Sequence, residues 1–114
     1  MLEIEREEFE RLVVEALDNL PDDMVEGLEN AVFVVEDRPE GEDILGLYEG
    51  VDLTQRGDYG YGELPDRIVI YREPLLELCS SLDELVEEIH ITLVHEIAHY
   101  YGIDDERLHE LGWA

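Results

Sequence analysis

Residues 95–105 read HEIAHYYGIDD. On a helix, His95 and His99 stand one turn apart and only about 40° around the axis, so both imidazoles can grip one ion from one side. A catalytic zinc takes three protein ligands and keeps a fourth position open for water. A straight helix does not easily supply the third ligand, because the positions beside the pair rotate away. The chain must turn back, and Gly102 is placed to let it. Three residues further on, Asp105 offers a hard oxygen donor, so His95, His99 and Asp105 form the expected zinc ligand set. His109, in RLHELGWA, is the rival for the third place. Glu96 follows the first ligand directly and would sit beside the metal without binding it. A carboxylate there can act as general base toward a water whose pKa the metal lowers to ~7.

Other candidates for chemistry are weaker. His90 reads as structural, and Asp104 as one more solvated acid. The one cysteine, Cys79, rules out an internal disulfide and any multi-cysteine zinc knuckle. It lies in the apolar stretch EPLLELCSS, where a buried, inert thiol is expected. All seven basic residues are arginine, so Schiff-base and Ser–Lys chemistry are excluded.

The elements that must position these residues can be read from periodicity. Phe9, Leu12, Val13, Ala16, Leu17 and Leu20 recur at helical spacing, and Pro21 ends the run. A short helical turn is expected in PDDMVEGLEN. AVFVV (31–35), ILGLYEG (44–50) and RIVIY (67–71) read as strands. Between the last two, residues 51–65 are rich in Gly, Asp and Tyr and form a long loop. Its Tyr59 and Tyr61 would anchor the loop or help to hold a substrate.

Pro74 is expected to open a short helix through Cys79. Ser81, with Glu84 three residues later, reads as the capping box of a long helix. That helix carries a stripe of Leu82, Leu85, Val86, Ile89 and Leu93 and stops at about Tyr101, before Gly102. The order α, β, β, β, α implies an α+β fold, with a small mixed sheet packed against the long helix and the N-terminal helix. Residues 1–114 are expected to form one domain.

Thirty-two acidic residues against seven arginines give a net charge of −25, which repels phosphate backbones and argues against nucleic-acid partners. No apolar run approaches the ~20 residues of a membrane span, and the charged start MLEIEREEFER is no signal peptide. A cytoplasmic protein is the expectation, and a homodimer is compatible with it.

HEIAHYYGIDDERLHELG resembles the minimal zincin-like metallopeptidases, small single-domain bacterial proteins with an HExxHxxGxxD pattern and a HELG-like tail. LGLYEGVDLTQRG and LPDRIVIYREP are also similar to strand and loop segments of that family. The resemblance implies a zincin-like core, His95, His99 and Asp105 as zinc ligands, and Glu96 as the base. It implies hydrolysis of a peptide or protein substrate, which would add a strand to an exposed edge, either ILGLY or RIVIY. The alternative is a catalytically silent metal-binding or peptide-interaction module. The methionine turn of the metzincins is absent, since Met1 and Met24 both precede the motif. Trp113 either supplies the apolar floor in its place or packs in the core.

Overall fold

In a computed structural model, residues 2–50 and 65–113 are described. The N-terminal helix α1 (Arg6–Asp18) follows its periodicity and buries Phe9, Leu12, Val13 and Ala16. Pro21 then serves as N-cap of a short helix, α2 (Asp22–Glu26), which buries Met24. Tyr59 and Tyr61 lie outside the described residues.

Three strands form one sheet: β1 (Ala31–Glu36), β2 (Gly46–Glu49) and β3 (Asp66–Tyr71), in the order β1-β3-β2. β1 pairs parallel to β3 from Ala31↔Asp66 to Glu36↔Tyr71. β2 pairs antiparallel to β3 from Gly46↔Ile70 to Glu49↔Arg67. RIVIY is therefore the central strand, which corrects its reading as a candidate edge. The reason is visible in its burial: Ile68, Val69, Ile70 and Tyr71 are all buried, so both faces of β3 are covered. Of the two candidates, the ILGLY segment, through β2, does lie at an edge of the sheet, and β1 forms the opposite edge.

Helix α3 (Arg72–Leu78) follows β3 without a break and begins two residues before the expected Pro74. Proline is tolerated in a first turn, where its missing N–H has no intrahelical partner to lose. Cys79 caps that helix and is buried, and burial pushes its thiol pKa up, with Glu88 and Glu84 adding to the rise.

The long helix α4 (Leu82–Tyr101) has the expected ends. Ser81 Oγ accepts the Glu84 N–H at 3.2 Å. At the other end Gly102 takes φ +68, its N–H donates to the His99 carbonyl, and the Ile103 N–H donates to the Ala98 carbonyl. That pair of bonds is a Schellman stop, whose left-handed residue favours glycine. Leu85, Ile89, Leu93 and Ile97 are fully buried against α1, α3 and the sheet. Leu82 and Val86 are not, which corrects the expected stripe: they share the exposed side of α4 with His90.

A fifth helix among the described residues, α5 (Asp105–Leu111), was not expected as a separate element. Asp104 is its N-cap, with Oδ1 accepting the Arg107 N–H at 2.9 Å, and Gly112 closes it in a second Schellman stop. The fold is thus α+β, with a small mixed sheet on the long helix. Among the described residues, no helix is long and apolar enough to cross a membrane.

Candidate metal centre

The spacing of α4 sorts its polar residues by depth. His95 and His99 are exposed, whereas Glu96, between them in sequence, is buried beside the sheet. Its carboxylate is not isolated: Oε1 lies 3.0 Å from His99 Nδ1. In the tautomer with the proton on Nδ1, the imidazole donates to Glu96 and keeps a lone pair on Nε2.

β2 reaches α4 at this point because residue 46 is a glycine. A Cβ there would lie 2.7 Å from Thr92 Cγ2, 3.1 Å from the Val69 carbonyl and 3.2 Å from Glu96 Cγ. The close approach leaves a cavity of about 540 Å3 between strand and helix. Leu45, Gly46 and Tyr48 line one side, and Thr92, His95, Glu96 and His99 the other. A second cavity, about 420 Å3, meets the first at Tyr48 and His99 and extends to Gly102 and Asp104. Tyr48 is held from behind, its hydroxyl donating to the buried Asp66 carboxylate at 2.7 Å. The Tyr48 ring also stands edge-on to Tyr100.

The donor chemistry of the histidine pair fits zinc: two imidazoles one helical turn apart open into one cavity, with a hydrogen-bonded carboxylate orienting one of them. Asp105, the expected third ligand, is exposed on the first turn of α5 and lines neither cavity. Among the described residues no group of three His, Cys, Asp or Glu side chains is arranged to hold a metal. His109 is exposed in the last turn of α5. Trp113 packs on Tyr101, with ring centroids 5.7 Å apart, and its Nε1 donates to Asp23, so it supports α2 and lines neither cavity.

The sequence reading missed Gly46, Thr92, the Tyr48–Asp66 pair and the capping role of Asp104. A glycine inside an apolar strand was the available signal for the first. The Gly-x-Asp-Asp-Glu run at 102–106 was the signal for the last.

The sequence pattern of the zincin-like metallopeptidases matches residues 28–113, from just before β1 through Trp113. The chain belongs to this family. The matched span of the zincin-like chain holds the whole sheet, α4 and α5. In fold it is similar to a conserved hypothetical protein from Thermo thermophilus, with a TM-score of 0.60 and 23 % sequence identity. That similarity covers 95 % of this chain and 97 % of the other. No curated protein matches the zincin-like chain.

Proposed function

We propose that this zincin-like chain is a zinc-dependent peptidase acting in the cytoplasm on an extended peptide or protein segment. The observation that carries the reading is the buried Glu96 carboxylate, set in the wall of a groove between edge strand β2 and the exposed His95–His99 pair. His95, His99 and Asp105 would hold the metal, which supplies Lewis acidity at the scissile carbonyl and lowers the pKa of the attacking water. Glu96 takes the proton from that water and returns it to the leaving amine. Its surroundings suit the task, since a side chain in place of Gly46 would come within 3.2 Å of its Cγ. β2, an edge strand whose residues line the groove, would orient the substrate by strand addition.

One observation favours the alternative of a silent metal-binding or peptide-interaction module: Asp105 stands apart from the histidines. The two readings part at Glu96→Gln. That variant should keep stoichiometric zinc and lose hydrolysis of a quenched-fluorescence peptide library. Equal cleavage by both chains would remove Glu96 from the chemistry. Zinc binding without cleavage by the unaltered chain would leave the silent module.

A further inference from the structure

The two cavities share Tyr48 and His99 in their walls, and their remaining walls differ in chemistry. The larger has aliphatic sides, with Ile44, Leu45 and Leu47 from the β2 segment facing Ile91 of α4. The smaller, beyond His99, is lined by Gly50, Gly102, Ile103 and Asp104. Tyr48 stands where they meet, and its hydrogen bond to Asp66 and ring contact with Tyr100 fix it as a partition.

Among the described residues that line this groove, the carboxylates are the fixed charges. Glu42 lines the larger cavity and Asp104 the smaller, and none of the described arginines lines either. The six described arginines are each paired with carboxylates that line neither cavity. Asp104 spends Oδ1 on the Arg107 N–H, and its second oxygen keeps lone pairs for a cation.

We infer that the groove selects an extended peptide with an aliphatic side chain on one side of His99 and a lysine or arginine on the other. The aliphatic group fills the Ile44–Leu47–Ile91 compartment, and the cation pairs with Asp104. The inference rests on the peptidase reading only in taking the ligand to be an extended peptide. Burial of the aliphatic group supplies most of the affinity, while the pair with exposed Asp104 adds a factor of up to about five at low salt.

The test uses the zinc-loaded Glu96→Gln chain, which binds without cutting, and fluorescein-labelled peptides read by anisotropy. The peptides share a leucine and differ at one position, as lysine, glutamine or glutamate. Affinity should fall in that order, and leucine→aspartate should cost at least about tenfold. Adding Asp104→Asn should lower the lysine-to-glutamine preference about threefold to fivefold, because asparagine still caps α5 but carries no charge. Glu7→Gln on α1 removes the same unit of charge far from the groove and should leave the preference intact. An unchanged preference in Asp104→Asn would overturn the inference, as would an equal fall in Glu7→Gln, which would assign it to net charge. Loss of zinc from Asp104→Asn would make Asp104 a ligand and overturn it too. If the unaltered chain binds the peptides in this order yet leaves them uncut, the selectivity stands and the peptidase reading fails.

Discussion

Glu96 Oε1 and His99 Nδ1 meet 3.0 Å apart, joining a side chain that is 11 % exposed to one that is 63 % exposed. The contact links the edge of the core to the open face of α4. A carboxylate behind a ligating imidazole fixes its tautomer and ring angle, and losing such a partner costs about 10–100-fold in metal affinity. Glu96→Ala should therefore weaken zinc by at least about tenfold. Glu96→Gln, whose amide oxygen can still accept from Nδ1, should not. Calorimetric titration of both variants tests this, and equal affinities would mean that the contact does not orient His99.

The ligand set makes a separate demand. His95→Ala or His99→Ala should abolish stoichiometric zinc, because a site of this type needs three protein donors. Retention of one zinc per chain in both variants would sink the assignment. Asp105→Ala should weaken zinc more than His109→Ala, and the reverse order would give the third place to His109.

Gly46→Ala should loosen the wall that holds Glu96. Its methyl group would meet Thr92 Cγ2 at 2.7 Å and the Val69 carbonyl at 3.1 Å, and the backbone oxygen cannot swing away. Overpacking of this kind costs about 1–3 kcal/mol. Thr92→Ser removes the nearest atom, so the double variant should recover part of the loss, measurable as a coupling in urea unfolding. Strict additivity would show that β2 moves bodily instead.

These residues also mark what the sequence could reveal. α4 was legible to the residue at both ends because Ser81, Glu84 and Gly102 act locally, through bonds to their own helix. The helical placement of His95, Glu96 and His99 was legible for the same reason. Strand order was not, since AVFVV and RIVIY carry the same β-branched signal and pairing depends on residues far apart. α5 escaped because DERLHEL buries a single residue, Leu108, and shows no apolar stripe. The groove depended on Gly46 meeting Thr92, a contact between elements that no local pattern encodes.

Alkali should destabilise the fold through three groups. Burial raises the pKa of Cys79, Tyr71 and Tyr101, with nearby acidic groups adding to the rise. Each favours its neutral form in the folded chain. Their contribution is therefore complete below the unfolded values, ~8.5 for the thiol and ~10 for the phenols, and is lost as pH rises through the higher folded values. The urea midpoint should fall between about pH 9 and 11. Cys79 should resist iodoacetamide at pH 8 until urea unfolds the chain, and rapid native alkylation would contradict its burial.

Acid acts through the opposite sign. The Arg72 hydrogen bond, aided by Arg6, holds Asp37 below the usual carboxylate range. Its contribution is present above ~3.9 and disappears as pH falls through the lower folded value. Asp37→Asn should lower the midpoint slightly at pH 7 and flatten the acid limb by the same small amount, since the pair is exposed. An identical acid limb in the variant would remove Asp37 from the transition.

The placement of β3 between two strands that both precede it also governs how the chain can assemble. β1 and β2 make no ladder with each other, so neither can close a local hairpin before residues 66–71 exist. A nascent chain must carry both as unpaired edges while it waits, and joining β1 to β3 means closing a long loop, which slows folding. Unpaired edges invite association with other chains. The −25 charge, spread along the whole sequence, repels neighbouring copies during that interval. Much of the acidity can thus be read as protection for an unfinished sheet, and neutralising surface acids outside the groove should lower the refolding yield at high protein concentration before it lowers the stability of the folded chain.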